Sequence, residues 1–464
     1  MPMTYDDAVA YLDALVNYET RRDPKAMRQV QLSRMQRLCQ LVGDPQRRFR
    51  SILVTGTNGK GSICAMLYEM LRQSELRAGL YTSPHVEHLR ERIRVSIPGS
   101  GDAEGHGGDW ITEAEFIDLL AELQPALEQM RYDSPKSPPT HFEALTALAF
   151  MQFDRRQIDL AVLEVGLGGR LDATNVVEQA VSILAPIDVD HADILGSHPS
   201  AIATEKAGVI KPRQIVLTAA QPDGVLGVLR AACGAQGVPL LVCGEDLTVG
   251  IQRHDLQGLQ LSVTGLRGIY ESLALPLIGR HQAQNAALAV AALEALSPTG
   301  IPHTIVDQGL ARVELPWRIE VVNEAPLVLM DGAHNAHAAR ALAETLGELC
   351  PGRRIHLLIG MSSDKSVERV GASLGPLAVS ATCTKSRHPR ALEPTTLARR
   401  LAPFCSDVHV MADPDDAYTY LLNAVGPKDV MVVTGSLYLV GELRAALRRS
   451  HVRPKRAPSL ELVG

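Results

Sequence analysis

Apolar positions along this chain recur with two periods, and the switches between them mark out the elements. From Thr4 to Tyr18, Ala8, Tyr11, Leu12, Leu15 and Val16 share one helical face, with Thr4 as N-cap and Asp7 three residues on. The polar stretch Arg21 to Val30 leads to a helix around Leu32 to Val42 that stops at Gly43-Asp44-Pro45. Ile52-Leu53-Val54 is a short apolar run of strand type, and Ala65 to Leu71 returns to helical spacing. A strand over Ala78 to Thr82 ends in Ser83-Pro84-His85, and the mixed-charge run from Glu87 turns into another strand by Val95. Pro98 to Asp109 is Gly-rich and poor in apolar residues, which predicts a surface loop without chemistry. Helices follow over Thr112 to Met130, with Glu115 in the capping-box position, and over Phe142 to Phe153.

Further on, Ile158 to Val165 and Val181 to Ile187 are nearly continuous apolar strands that end in polar residues. The first carries Glu164 ahead of Gly166-Leu167-Gly168-Gly169-Arg170; the second is followed by Asp188, Asp190, His191 and Asp193. Acids at the carboxyl ends of buried strands are where parallel α/β sheets hold ligand groups. A short helix over Ser200 to Gly208, strands at Gln214 to Thr218 and Leu240 to Val242, a small antiparallel addition over Leu247 to Thr264, and a helix over Asn285 to Leu296 complete this half. After Leu315-Pro316-Trp317 strand and helix alternate regularly from Leu327 to Leu447, so the sheet is mostly parallel. The expected fold is α/β: an N-terminal P-loop ATPase-type domain with a mostly parallel sheet over residues 1–314, a smaller C-terminal Rossmann-like domain over 315–450, and a loose tail over 451–464.

Between the first apolar strand and its helix lies Gly56-Thr57-Asn58-Gly59-Lys60-Gly61-Ser62. A strand, a glycine turn and a helix in this order cradle a polyphosphate: the glycines let backbone N–H groups crowd the phosphate oxygens, Lys60 adds a point charge, and the Ser62 hydroxyl is a Mg²⁺ ligand. The spacing is a variant of GxxxxGK[ST], because two residues rather than four separate Gly56 from Gly59 and Gly61 stands between Lys60 and Ser62. The bland alternative is a glycine turn beside a surface lysine.

Composition narrows the class. At 464 residues the chain exceeds one comfortable core, and 46% apolar with 21% charged residues is ordinary for a globular protein. A net charge of -6 argues against general nucleic-acid binding. Seven cysteines with no CxxC pair suit a reduced, cytoplasmic setting, and Met1 to Thr20 carries acids where a signal peptide would be basic and then apolar. No uncharged apolar run reaches about 18 residues, so no membrane span is expected.

Several strings together carry a resemblance: GTNGKGS at Gly56 to Ser62, Ser83-Pro84-His85, EVGLGGRLDATN at Glu164 to Asn175, Asp190-His191, Glu205-Lys206-Ala207-Gly208, His281-Gln282, Asp331-Gly332-Ala333-His334-Asn335 and Gly435-Ser436-Leu437. In this order, over nearly the whole chain, they resemble the folylpolyglutamate synthase and dihydrofolate synthase family of the Mur ligase superfamily. The resemblance implies Mg-ATP-dependent amide formation in the cytoplasm by a monomer: a pteroate or folate carboxylate is phosphorylated, and the amino group of L-glutamate attacks the acyl phosphate. It implies ATP contacts at Asn58, Gly59, Lys60, Gly61, Ser62, Asn285, Arg318 and Asp331, and substrate contacts at Ser83, Pro84 and His85. Ser62, Glu164, His191 and Lys206 become Mg²⁺ ligands, Lys206 as a carbamate, while Lys60, Lys206 and His334 become catalytic. ATP held between two domains would keep water from the acyl phosphate.

Taken singly, these residues have plainer readings: His191 a hydrogen-bonded histidine near a strand end, Lys206 a helix-surface lysine after Glu205, Arg318 a linker arginine, Asn285 an amide capping its own helix. The chain also departs from the family pattern. Leu315-Pro316-Trp317-Arg318 stands where relatives often read Trp-Pro-Gly-Arg, Ala336 replaces a proline, Ala185-Pro186 replaces a Thr-Ser pair, and Ser33 replaces an acid in the pterin-side segment. Two other readings stay open: a peptidoglycan-type ligase of the same superfamily, and a nucleotide-binding relative without catalysis.

Overall fold

Residues 3–20, 23–27, 31–99 and 109–449 are described by the computed structural model. Seven strands form the first sheet: β1 (Arg50–Thr55), β2 (Ala78–Tyr81), β3 (Ile93–Ser96), β4 (Leu160–Glu164), β5 (Val181–Leu184), β6 (Ile215–Thr218) and β7 (Leu240–Val242). Their order is β3-β2-β4-β1-β5-β6-β7, and only the β2/β3 pair is antiparallel. β1 is buried from Ser51 to Thr55, and β4 and β5 over their full length. Burial on both faces is why these strands read as continuous apolar runs rather than alternating ones.

Because β1, β2, β4 and β5 run parallel, the segments that follow them leave from one edge of the sheet. That edge therefore carries Gly56, Ser83, Gly166 and Asp188 onward, with β1 central: the chain fills one side of it with β2, β3 and β4 and then crosses to the other with β5, β6 and β7, the switch at which open α/β sheets bind ligands. The helix His141–Arg155 packs on the same sheet through fully buried Phe150 and Phe153. Each such side chain contributes about 1.5–3 kcal/mol by leaving water.

A three-stranded sheet, order β10-β9-β8, is built from β8 (Thr248–Asp255), β9 (Gly258–Thr264) and β10 (Ile269–Leu275). The last sheet comprises β11 (Glu320–Glu324), β12 (Leu327–Met330), β13 (Ile355–Ile359), β14 (Ala378–Cys383), β15 (Val408–Val410) and β16 (Val430–Thr434), in the order β11-β12-β16-β13-β14-β15. Its strands are parallel except the β11/β12 pair. The chain forms two units: one of Met1–Gly250, Leu261–Ala274 and Ala283–Val313, the other of Ile251–Gln260, Leu275–Gln282 and Glu314–Gly464. The α/β class and the two largely parallel sheets agree with the sequence reading.

Several local expectations need correction. The first helix is Tyr5–Asp13, with the expected Thr4/Asp7 capping box, and does not reach Tyr18. Val16 instead bridges Thr140 and accepts from the His141 N–H, so pairing with a distant segment overrides the helical period. The antiparallel addition extends beyond Thr264 to a third strand, and β11 and the helices Asp223–Gln236 and His303–Ala311 are additional elements. The expected helix over Thr112 to Met130 is Glu113–Asp133, and it keeps Pro125 inside. Most of the Pro98 to Asp109 loop, and the tail over 451–464, lie outside the described residues. So does half of Arg21 to Val30; its described part, 23–27, holds a short helix at Pro24–Met27. All seven cysteines are buried and unpaired with one another.

Candidate active site

The glycine loop leaves β1 and becomes the helix Lys60–Arg72, whose N-cap is Gly59 in the left-handed region with φ 84°. A side chain there would also collide with a neighbour, since a Cβ on Gly59 would sit 2.7 Å from Asn285 Oδ1. Asn285 is buried in the helix His281–Leu296, five residues into it, so its amide faces the phosphate loop rather than capping its own helix. Thr57 N–H donates to Pro186 O at 2.9 Å, and Thr57 Oγ1 donates to Asp188 O at 2.9 Å, which ties the loop to the segment after β5. Gly59→Ala combines a strained backbone with a Cβ only 2.7 Å from Asn285 Oδ1. A loss of about tenfold in ATP affinity is expected, from roughly 1–2 kcal/mol of strain, and equilibrium nucleotide binding checks it.

Both lysines aim at the same backbone atom of this loop. Lys206 Nζ donates to Gly56 O at 2.7 Å and Lys60 Nζ to the same oxygen at 3.3 Å. Lys206 is only 4% exposed, so the helix-surface reading fails. Burial first, then the like charge of Lys60, pulls its ammonium down to about 7, and the attraction of Asp190 and Asp172 is too weak to restore it. A neutral amine is thus accessible near pH 7, which is what addition to CO₂ requires.

Close docking places that amine. Lys206 lies in the helix Pro199–Ala207, and the Gly208 that caps it lets Arg170 approach so nearly that a Cβ would sit 2.2 Å from Arg170 Cβ. Arg170 N–H donates to Glu205 O at 3.0 Å, while Asn175 Nδ2 donates to both Gly208 O (3.1 Å) and Arg170 O (3.2 Å). Lys211 closes the arrangement on the carbonyls of Asn175 and Val177 at 2.6 and 2.7 Å. Asp172, not singled out from the sequence, accepts from the N–H of Leu167 (2.9 Å) and of Thr174 (3.0 Å), fixing the loop after β4. The Asp-x-Thr spacing of an Asx turn, inside the Glu164 to Asn175 string, was the signal for it.

Glu164 ends β4 as expected and is buried. Its carboxylate lies beside the glycine loop, with Oε2 at 3.8 Å from where a Cβ on Gly61 would be, and it accepts the Ser83 N–H at 3.2 Å. Ser62, also buried, is in the first turn of the loop's helix. His191 follows β5 with a left-handed backbone (φ 51°) fixed by its N–H to Asp190 Oδ1 at 2.7 Å. Among the described residues no three His, Cys, Asp or Glu side chains gather into a metal cage. Mg²⁺ does not ask for one: it binds through one or two carboxylates plus substrate phosphates, so an oxygen donor pair beside a phosphate loop fits it. Pro84 is exposed, whereas His85 is half-buried and hydrogen-bonded to Arg92.

In the second unit, Asp331 directly follows β12, buried, with its carboxylate accepting from the N–H of Ala333 (2.8 Å) and of Ile319 (3.0 Å). Burial pushes this carboxyl up, with the Arg318 charge and those N–H bonds opposing. Trp317 and Ile319, the neighbours of Arg318, both have left-handed backbones (φ 59° and 53°). Trp317 thus takes, without glycine's freedom, a backbone conformation that glycine adopts most readily. Glu320 accepts the Trp317 N–H at 3.1 Å, and the Arg444 guanidinium lies 5.5 Å from its ring, holding the turn. His334 Nδ1 donates to Gly332 O at 2.8 Å, so any proton it accepts goes to Nε2.

The phosphate loop, Glu164, Ser83, Lys206 and Asn285 therefore converge within one unit, while Arg318, Asp331 and His334 form a separate group in the other. Against known proteins, residues 114–293 match the Mur ligase middle domain and residues 317–437 the Mur ligase, glutamate ligase domain. A dihydrofolate synthase/folylpolyglutamate synthase of Bacillus subtilis is 34% identical over 428 residues, covering 90% of this chain and 95% of its own. The chain belongs to the folylpolyglutamate synthase and dihydrofolate synthase family. A Mycobacterium tuberculosis folylpolyglutamate synthase complexed with ADP superposes with a TM-score of 0.85 at 32% identity, over 98% of this chain and 99% of that one. A bifunctional family enzyme of Yersinia pestis, complexed with AMPPNP and a Mn ion, gives 0.80 at 27% identity over 96% and 98%. These family members thus include nucleotide and divalent-metal complexes, in keeping with the phosphate loop and the oxygen donors beside it.

Proposed function

We propose that this enzyme adds L-glutamate to the carboxylate of dihydropteroate, of a folate, or of both, cleaving ATP to ADP and phosphate. The observation that carries the reading is the convergence of Lys60, Lys206 and Glu164 on the Gly56–Ser62 loop at the carboxyl edge of a parallel sheet. In the first step a carboxylate oxygen of the pteroate forms a bond to the γ-phosphorus and the bond to ADP breaks. The glutamate nitrogen then bonds to the acyl carbon, phosphate leaves with both electrons of its C–O bond, and the amine gives up its proton.

The difficulty is electrostatic, because a carboxylate must approach a triphosphate. Lys60 supplies one positive charge, and the N–H groups at the start of its helix supply partial ones. Mg²⁺, when bound, neutralises the remaining crowding; Ser62, Glu164 and His191 would hold it, with Lys206 as a carbamate. Carbamylation forms an N–C bond from the Lys206 amine to CO₂ and releases one proton. The remaining N–H keeps a donor for Gly56 O. Asn58, Gly59, Gly61 and Asn285 are assigned to ATP, with Arg318 and Asp331; His334 is assigned to the chemical step; Ser83, Pro84 and His85 are assigned to the pteroate. Among the described residues no helix is long and apolar enough to cross a membrane. A cytoplasmic monomer acting on small molecules, without nucleic acid, completes the reading.

The test is phosphate release with Mg-ATP and L-glutamate on three acceptors: dihydropteroate, tetrahydrofolate and a UDP-muramoyl substrate. Glutamate-dependent release with either of the first two is expected. Release with the UDP-muramoyl acceptor alone, or ATP binding without glutamate-dependent turnover, overturns the assignment.

A further inference from the structure

The string Ser83-Pro84-His85 continues into a charged chain that the glycine loop does not use. Arg92 ends the short 3₁₀ turn Leu89–Arg92, and its side chain is wholly buried. Its Nε donates to His85 Nδ1 at 3.0 Å, while its two terminal nitrogens donate in parallel to Glu19 Oε1 and Oε2 at 2.9 and 2.5 Å. Glu19, in the segment after the first helix, is anchored by its own N–H to Asn17 Oδ1 at 2.9 Å. The Arg92 carbonyl accepts the Thr82 N–H at 3.0 Å, which pins the same residue to the end of β2. A forked guanidinium held on one side by a carboxylate has its Nε–H direction fixed.

A guanidinium only donates, so the His85 nitrogen facing it must present a lone pair. That leaves the ring proton on Nε2. We propose that Glu19 and Arg92 are positioning residues that lock His85 in the Nε2–H tautomer, so that it meets the pteroate substrate as an uncharged hydrogen-bond donor. The inference rests on the reading that Ser83-Pro84-His85 faces that substrate.

The surroundings support the uncharged form. Burial, then the Arg92 charge, takes His85 down to about 3; Glu19 opposes, and His141 and His88 add to the fall. His141, 3% exposed, is itself held down to about 4 by burial and Arg92. Burial would raise Glu19, yet Arg92 wins and brings it to about 2, so the pair stays ionic. An imidazole here is thus a neutral donor for an oxygen acceptor such as a carbonyl or carboxylate, with no role as a base or cation.

The experiment uses the full-length enzyme labelled with ¹⁵N-histidine, with His85→Gln to assign the resonance and long-range ¹H–¹⁵N correlations to read the tautomer. The expected wild-type result is His85 as Nε2–H, unprotonated throughout about pH 5 to 8. Arg92→Lys keeps the buried cation but loses the fork. It is expected to release the tautomer and raise KM for the pteroate substrate about tenfold, with KM for ATP unchanged. Glu19→Gln, which keeps the shape, is expected to do the same more mildly. Should Arg92→Lys fail to fold, the wild-type spectrum still decides: an Nδ1–H tautomer, or titration of His85 between those pH values, overturns the lock. If the lock is seen but His85→Gln leaves KM for both dihydropteroate and tetrahydrofolate unaltered, the substrate assignment fails instead, and the proposal falls through that half.

Discussion

Lys206→Met is expected to lower kcat by about 10²–10³, the scale of losing one preorganised charge-stabilising group, while ATP affinity changes only a few-fold. The side chain is buried, its amine is bonded to Gly56 O, and burial together with Lys60 brings it down to about 7. A wild-type sample in ¹³C-bicarbonate should show a carbamate signal that the variant lacks. At limiting CO₂ the rate should rise with pH through about 7, because only the neutral amine reacts. Stability follows the same titration. The unfolded lysine keeps its proton up to about 10.4, so between that value and the folded one the unfolded state binds more protons, and stability climbs with pH. Below about 7 the folded amine is charged as well, and that contribution is gone. Thermal melts should therefore show the methionine variant ahead of metal-free wild type at pH 7, with the gap closing as pH rises. Undiminished turnover by Lys206→Met would remove Lys206 from the catalytic set.

Glu164→Gln is the second large effect. The carboxamide oxygen still accepts the Ser83 N–H, so the strand end stays intact and stability should shift by no more than about 1 kcal/mol. The charge beside Gly61 is lost, however, and with it a carboxylate donor beside the phosphate loop. We expect kcat to fall by roughly 10²–10³ and the Mg²⁺ concentration for half-maximal rate to rise about tenfold. Steady-state kinetics over a Mg²⁺ series, with a melting curve as the folding control, reads both. An unchanged Mg²⁺ requirement would show that Glu164 supports the loop through Ser83 alone.

How far the sequence reaches differs from element to element. The strand and helix around the glycine loop were legible because β1, buried on both faces, gives an uninterrupted apolar run, and the loop's residue types serve one purpose. The alternation after Leu327 was legible for the same reason. β11 was not: it is an antiparallel edge strand, polar at Glu320, Asn323 and Glu324, with a register shift between Val321 and Asn323, so it carries neither a buried run nor a clean alternation. The helix Asp223–Gln236 was hidden by Gly224, Gly227 and Gly234, which lower helical propensity though its apolar face is regular. Lys206 read as a surface residue on spacing alone, and nothing local reveals its 4% exposure.

By itself the sequence determined the α/β class, the mostly parallel character of the sheets, and the residue types that make the loop after β1 a phosphate cradle, since these follow from periodicity and from backbone chemistry within a few residues. Only the tertiary structure decided that two lysines share the carbonyl of Gly56, that Asn285 closes on Gly59, and that Glu19, 73 residues from Arg92, sets the proton on His85. The physical reason is that protonation and hydrogen-bond geometry depend on burial and on partners brought in by parallel strand pairing over long stretches of chain, and local pattern carries no record of either.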